Sequence, residues 1–351
     1  MNFLQDTDYM EIASKEAVKA LGMTWTNPLV GAVIVKNGQV LASGYHHQFG
    51  QEHAEVNALN QLDDIKQAQG ATLYVTLEPC SHYGKQPPCC QKVAEAGIKE
   101  VIIGQIDPHG IVAGKGIKYL NEHGVKTKVL GGTEKLNKAY NFFYQHHRPL
   151  VTLKYAMSLD GKLNGAGKAR TLLTGPKAQY DVQKLRLHQQ AILIGANTLR
   201  IDNPQLTVRI KALPQPPIRI ILTHDANQLD LTQNLFKLPG PIWLLSQTEL
   251  KGKAQANVHC FVSHKWTPQK IGELLAEREI QSLLVEGGSN LLAEFLAAGL
   301  ADQIVAYIAP IVLGGTALPV AVGAALTQKL EYQLIAVQEL GQDIRITARR
   351  K

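Results

Sequence analysis

The chain has 351 residues, which at ~150 residues per domain is too many for one small core and predicts two domains. Hydrophobic residues make up 45% and charged residues 19%, so neither a disordered chain nor a fibrous repeat fits. The net charge of +7 admits anionic partners, but the longest basic cluster is only Arg349, Arg350 and Lys351, so small phosphorylated ligands fit better than a nucleic-acid track. No run approaches the ~20 apolar residues of a membrane helix. Residues 1–8 lack the basic and apolar regions of a signal peptide, so the expectation is a cytoplasmic protein without a membrane partner.

In chain order, apolar residues at helical spacing predict a helix over 11–21, and a β-rich run over 30–35 followed by Asn37-Gly38 predicts a strand entering a hairpin. A helix from His53, a strand over 71–77, a helix over 89–96 ended by Gly97 and a strand over 100–104 follow, then a further helix and strand between 116 and 130. This order predicts a sheet covered by helices, with loops at the strand ends available for a site. A helical pattern over 133–147 runs into Arg148-Pro149, where proline removes a donor and restricts its neighbour, and the domain boundary is placed there. The second half begins with a strand over 150–155, a helix over 176–188 and strands over 191–195, 218–222 and 242–246. It ends with a helix over 268–279, a strand over 282–285, a helix over 290–298 and strands over 303–309, 332–337 and 343–348, a second α/β domain. The proline-rich 213–217 is short enough to be a loop within it.

Three of the four cysteines, Cys80, Cys89 and Cys90, lie within eleven residues, which in a reducing compartment reads as metal binding before disulfide. His53-Ala54-Glu55, Glu78-Pro79-Cys80 and Pro88-Cys89 together offer one imidazole and two thiolates. These suit Zn²⁺ and leave a fourth tetrahedral position open, the mark of a catalytic site. The glutamate beside the histidine is free to move protons, the composition of the zinc deaminases. Pro88 suits a first helical position, so Cys89 is expected at a helix N-terminus, where the macrodipole lowers a thiol pKa, with Cys90 pointing elsewhere. Residues two apart do not share a helix face, so His53 and Glu55 converge on one ion only if the terminus is irregular or the side chains reach across. A closed structural zinc site would instead need a fourth ligand, for which His82, Cys90 and His46 are candidates.

In the second half, Ser282 to Asn290 reads as a strand, the pair Gly287-Gly288 and an apolar helix, either a cofactor phosphate site or a tight strand-to-helix turn. Gly167-Lys168 is followed by Ala169, and no GxGxxG occurs, which disfavours a P-loop or a standard Rossmann domain. On the zinc motif and charge alone, a nucleic-acid base deaminase with an accessory binding domain and a non-catalytic zinc-stabilised module are both open.

NPLVGAVIV from Asn27, GYHHQFGQEHAE from Gly44 and VTLEPCSHYGKQPPCC from Val75 resemble the deaminase half of the bifunctional riboflavin-biosynthesis deaminase–reductase family. VTLKYAMSLDGKLN from Val151, ILIGANTLRIDNPQLTVR from Ile192 and LVEGGSNLLAEFLAAGL from Leu284 resemble its reductase half, in the family's order across nearly the whole chain. The resemblance implies an α/β fold class: an N-terminal cytidine-deaminase-like three-layer α/β/α domain over 1–147 and a C-terminal dihydrofolate-reductase-like α/β domain over 148–351. It implies two reactions on one small phosphorylated pyrimidine, a zinc-dependent deamination and then an NADPH-dependent reduction of the ribosyl group, in a homo-oligomer (dimer or tetramer).

By that resemblance His53, Cys80 and Cys89 bind one Zn²⁺ per chain, Glu55 shuttles the proton, and Asn27, His46, His82, Lys85 and Asp107 contact substrate. In the second half Lys154, Asp202 and Glu286 match polar positions around substrate and nicotinamide. Arg186 and Arg209 match cations that hold the substrate phosphate, a task suited to a bidentate guanidinium. Arg170 and Leu206 match further substrate positions. Met157, Leu172, Thr198, Asp202 and the run Gly288, Ser289, Asn290, Leu291, Leu292, Ala293 and Glu294 match cofactor positions. The chain departs from the family pattern at His109, where Asp-Pro-Asn is usual, at Leu172, where tryptophan is common, and at Arg170, where serine is common.

Overall fold

The computed structural model describes residues 4–81, 87–166, 171–252 and 255–351; His82, Lys85 and Arg170 lie outside the described residues. The chain divides into two compact units, Met1–His147 and Arg148–Lys351.

The first unit runs α1 (Asp6–Val18), β1 (Gly31–Lys36), β2 (Gln39–Tyr45), α2 (Ala54–Leu59), β3 (Thr72–Val75), α3 (Cys89–Glu95), β4 (Glu100–Ile103), α4 (Lys115–Glu122), β5 (Lys126–Val129) and α5 (Lys138–His146). Its strands form one sheet in the order β2-β1-β3-β4-β5, with β1 antiparallel to both its neighbours and β3, β4 and β5 parallel. Alternation along β1 explains the layering. Ala32 and Ile34 pack with Ala58 and Leu59 of α2, Val93 of α3 and Leu120 of α4, whereas Val33 and Val35 pack with Tyr9, Met10 and Ala13 of α1. Both faces are therefore apolar, and the sheet is sandwiched between helical layers. Gly31 is demanded by this packing, because a Cβ there would stand 2.0 Å from the Ala13 carbonyl oxygen.

Two ends differ from expectation for local reasons. Helix α1 starts at Asp6, since the Asp8 carboxylate accepts from the Gln5 backbone N–H at 2.7 Å and acidic residues fill the first turn. The expected helix over 133–147 is a 3₁₀ turn, Glu134–Asn137, followed by α5. The Asn137 side chain bonds both the N–H and the C=O of Leu29, which pins that turn against the entry to β1.

The second unit contains β6 (Leu150–Ser158), β7 (Lys162–Asn164), α6 (Pro176–Leu187), β8 (Ala191–Gly195), α7 (Ala196–Asp202), β9 (Ile218–Leu222), β10 (Ile242–Ser246) and β11 (Val258–Val262). It continues with α8 (Pro268–Ala276), β12 (Ser282–Val285), α9 (Ser289–Ala297), β13 (Gln303–Ala309), β14 (Leu318–Pro319), β15 (Tyr332–Leu340) and β16 (Asp343–Arg350). Nine strands make one sheet in the order β11-β10-β9-β8-β12-β6-β13-β16-β15, parallel from β11 to β13 and closed by the antiparallel β16 and β15. Helix α7 and strands β7, β11 and β14 were not expected: α7 starts directly after the last residue of β8 with no loop between, and β7 and β14 are too short for a period to register. Among the described residues no helix is long and apolar enough to cross a membrane.

A buried arginine braces this unit. Arg219 on β9 is 2% exposed and donates to the carbonyl oxygens of Leu235, Leu238, Pro239 and Gly240 at 2.7–3.0 Å, fixing the segment that leads into β10. Arg219→Met would remove the shared donor from all four carbonyls, the buried Leu235 oxygen among them, and the expected loss is about 3 kcal/mol. Urea unfolding followed by the fluorescence of Trp243 and Trp266, both in this unit, checks it; an unchanged midpoint would refute the bracing role.

Candidate functional site

In the first unit the site grows from the carboxyl ends of two neighbouring parallel strands. Val75 of β3 pairs with Ile103 of β4, so the chain leaves both strands at one edge, Glu78-Pro79-Cys80 after β3 and Gln105 to His109 after β4. Across from them, His53 is the N-cap of α2 with extended backbone (φ −80°, ψ 168°), while Glu55 lies in the first helical turn. That removes the geometric objection to an HxE pair: His53 is outside the helix, so its side chain leaves in a direction that no two helical residues spaced by two could share.

His53 Nδ1 stands 3.5 Å from Cys80 Sγ and 3.2 Å from Cys89 Sγ, and the three donor atoms lie within 4.8 Å of one another. One imidazole and two thiols at such separations form three corners of a tetrahedron of zinc's size. Glu55 is 3% exposed, and its Oε2 has no hydrogen-bond partner among the described residues, an orphaned acceptor beside the donor set. Burial pushes the Glu55 carboxyl up to about 7. Zinc fits this set, and among the described residues neither Cys90 nor His46 adds a fourth ligand; the third candidate, His82, lies outside them. Cys90 is fully buried in the apolar core, and His46 is engaged by Glu52 and Asn27.

One expectation is corrected here. Cys89 does head α3, but its backbone N–H points at Cys80 Sγ (3.3 Å) and not at its own thiol. Hydrogen bonding from Cys89 holds the Cys80 thiol down to about 4, whereas the same bond and burial push Cys89 up. A metal cation takes the thiolate form, so its binding would displace thiol protons from the pair.

The adjoining pocket, about 160 Å³, is lined by Asn27, His46 and Asp107 among the expected substrate residues, together with Glu78, His109 and Tyr140. His46 is 2% exposed; its Nδ1 meets the Glu52 carbonyl at 2.9 Å and its Nε2 meets Asn27 Nδ2 at 3.1 Å. The amide donates to Nε2, so the ring is the neutral Nδ1–H tautomer, in keeping with the downward pKa shift that burial causes. Asp107 accepts from the Tyr140 hydroxyl at 2.9 and 3.2 Å and from the His109 N–H at 2.8 Å. Glu78 and Tyr140 were not singled out from the sequence. Glu78 stood inside the motif without an evident task, and Tyr140 lies 33 residues from its partner with no local signal.

The second unit has a cleft of about 970 Å³. Register builds it: Val285 of β12 pairs with Leu153 of β6 and Leu193 of β8, so Glu286 and Lys154 follow on adjacent strands at one level. Glu286 accepts from Arg186 Nε at 2.6 Å and from an Arg186 terminal nitrogen at 2.9 Å, with Lys154 Nζ at 3.8 Å. A further Arg186 donor reaches the Thr207 carbonyl at 3.3 Å. Arg186 is thus committed to Glu286, and of the two cations expected to hold a phosphate, Arg209 is the one exposed in the cleft.

Lys154, Leu172, Thr198, Asp202, Gly288, Ser289, Asn290, Leu291 and Glu294 also line the cleft. Met157, Leu206, Leu292 and Ala293 do not: Leu206 packs in the core with Ile192 and Leu199, and Leu292 is fully buried on the inner side of α9. Leu172 is 64% exposed, an apolar face open to a flat ring. The glycine pair has a packing cause as well, since a Cβ on Gly287 would meet Leu291 Cδ2 at 2.6 Å and one on Gly288 would meet Thr198 Oγ1 at 3.2 Å. Gly288 is the N-cap of α9, and its backbone approaches the cleft unscreened by a side chain.

Comparisons with known proteins find a match within each unit. Residues 4–105 match the family described as the cytidine and deoxycytidylate deaminase zinc-binding region, and residues 149–346 match the RibD C-terminal domain. The riboflavin biosynthesis protein RibD of Bacillus amyloliquefaciens is 38% identical over 97% of this chain and 95% of its own, and that of Escherichia coli is 36% identical over 90% of each. Among solved structures, Acinetobacter baumannii RibD superposes with a TM-score of 0.89 at 34% identity over 100% of both chains. A diaminohydroxyphosphoribosylaminopyrimidine deaminase/5-amino-6-(5-phosphoribosylamino)uracil reductase from Thermotoga maritima does so with 0.89 at 32% identity over 99% of both.

Proposed function

The chain belongs to the RibD family of riboflavin biosynthesis proteins, which join a zinc-binding deaminase domain to a reductase domain, and on that premise we propose a residue-level division of labour. Residues 1–147 convert 2,5-diamino-6-(5-phosphoribosylamino)pyrimidin-4(3H)-one to 5-amino-6-(5-phosphoribosylamino)uracil, and residues 148–351 reduce that product to 5-amino-6-(5-phosphoribitylamino)uracil. The observation that carries the first step is the convergence of His53, Cys80 and Cys89 beside a buried carboxylate with an unpartnered oxygen. When bound, zinc supplies the Lewis acidity that makes water nucleophilic near neutral pH. Glu55 takes a proton from that water and gives it to the ring nitrogen beside the reacting carbon, then moves the second to the departing 2-amino group, so that a C=O bond replaces the C–N bond and ammonia leaves. Asn27, His46 and Asp107 hold the ring and its substituents in the pocket.

In the second unit, NADPH supplies the reducing equivalents when bound. The protein positions the reacting carbons: Thr198, Asp202, Leu172 and the amino end of α9 face the cofactor, while Lys154 and Glu286 face the sugar and Arg209 its phosphate. The partner is a small phosphorylated pyrimidine and not a nucleic acid, and the setting is the cytoplasm. A homo-oligomer, dimer or tetramer, is supported by the outermost strand β15, where Leu334, Ile335 and Val337 are 60%, 48% and 56% exposed, an apolar edge that a second copy would cover.

The test is a paired assay on the zinc-replete chain, following ammonia release and NADPH oxidation together. Ammonia should appear without NADPH, and oxidation only after deamination; oxidation of the undeaminated substrate would refute the order. Asp202→Asn should slow reduction by roughly 10²-fold with deamination unchanged, and an equal fall in both would remove Asp202 from the cofactor side.

A further inference from the structure

Glu78 is 3% exposed, precedes a metal ligand by two residues and carries no role in the reaction described above. Its surroundings are unusual for a buried carboxylate, because no cation pairs with it among the described residues. Backbone N–H groups surround it instead. Oε2 accepts from Asp107 at 3.3 Å and Gly114 at 3.0 Å, and Oε1 accepts from Gly116 at 3.0 Å and Ile117 at 3.2 Å. Gly116 and Ile117 lie in the first turn of α4, whose N-cap Gly114 has no side chain to satisfy them. A carboxylate from another segment thus does the work of a cap, favoured by the helix dipole and by charge-assisted bonding. The approach is close on both sides. The Glu78 N–H bonds the Gln105 carbonyl at 2.9 Å, and a Cβ on Gly116 would stand 2.0 Å from the Pro79 carbonyl oxygen.

The consequence lies in what the clamped segment carries. Residues 105–117 bring Asp107, His109 and Val112 to the pocket, opposite Asn27, His46, His53 and Glu55, while Glu78-Pro79-Cys80 brings a metal ligand. We propose that Glu78 is a positioning residue for deamination: its four backbone bonds set the substrate-facing wall of the pocket at a fixed distance from the metal loop, so that recognition of the pyrimidine, and not metal retention, depends on it. The Tyr140 hydroxyl then aims the Asp107 carboxylate within the wall that Glu78 has placed. This rests on the deaminase reading of the first unit.

The experiment is Glu78→Gln in the full-length chain, with zinc content, steady-state ammonia release and calorimetric binding of the uracil product measured together. The amide keeps one accepting oxygen and turns an NH₂ toward two N–H donors, which frees half of the clamp. Zinc should remain at one per chain, KM and the product Kd should rise roughly tenfold, and kcat should change by less than about threefold. Asp107→Asn added to Glu78→Gln should raise KM by less than it does in the wild type, because both act through one wall. Should the amide lose zinc, Glu78→Asp decides, since it keeps the charge at shorter reach: a raised KM with zinc and kcat retained supports the assignment. Unchanged KM and product Kd in the variant that holds zinc, a fall in kcat alone, or zinc loss in both variants overturns it while the wild type still deaminates. A wild type that releases no ammonia overturns the deaminase reading itself.

Discussion

Glu55→Gln is expected to lower ammonia release by roughly 10³-fold or more while zinc content and NADPH oxidation on pre-deaminated substrate stay at wild-type levels. The reasoning starts from position. Glu55 sits in the first turn of α2, whereas the ligand His53 is the cap before it, so the substitution touches no ligand atom. The amide matches the carboxylate in size, and the pocket that buries it loses no packing. What disappears is the ability to take a proton and give it back: Gln has no basic oxygen at any pH of interest. Metal analysis and the two activities, measured on one preparation, separate proton transfer from the competing roles. Loss of zinc would make Glu55 part of the metal set, and loss of NADPH oxidation would mean that the two sites do not act independently.

Much of the first site was legible because its chemistry is concentrated in short motifs. His53, Cys80 and Cys89 supply the imidazole and thiolates that zinc prefers, Glu55 adds a carboxylate next to them, and few tasks other than zinc chemistry bring these four together. The strands behind them are apolar runs punctuated by turn residues. What was not legible depends on contacts between distant segments. That the Cys89 N–H serves Cys80, and that Cys89 is pushed up where the helix terminus was expected to lower it, follows from contacts across nine residues that no helix rule contains. Glu78 could be seen as an acid beside a cysteine, but its donors come from 29 to 39 residues away. In the second unit the glycine pair and the helix after it were visible, whereas the partition of Arg186 and Arg209 was not. Two arginines look alike in sequence, and only burial against Glu286 tells the committed one from the exposed one. Register decided which members of a run face the cleft, placing Leu291 in it and Leu292 in the core one residue later.

Glu286→Gln is expected to lower reduction by roughly 10²-fold and to destabilise the second unit by about 3 kcal/mol at pH 7, with deamination untouched. Side-chain exposure is only 7% for Glu286, 10% for Arg186 and 17% for Lys154, so two cations and one anion share a site with little water to screen them. Burial alone would raise the Glu286 carboxyl, but Arg186 and Lys154 outweigh it and hold it at about 2, against an ordinary value of 4.5. The glutamate therefore remains ionised throughout the working range. The amide removes the negative charge between two buried cations; Arg186 keeps at most one of its two short bonds, since the NH₂ end turns a donor toward a donor, and Lys154 loses the charge of Glu286 that holds its amine toward the cleft. The sign of the pH effect follows from the depressed value. Glu286 stabilises the fold fully above about pH 4.5, where the unfolded chain's carboxyl is also ionised, and that contribution fades as pH falls toward 2. The stability gap between wild type and Glu286→Gln should therefore be flat from pH 8 to about 5 and begin to narrow below about 4.5. Urea unfolding read from Trp243 and Trp266 at several pH values measures the gap, and one that widens toward acid would show that Glu286 is not the ionised centre of this trio.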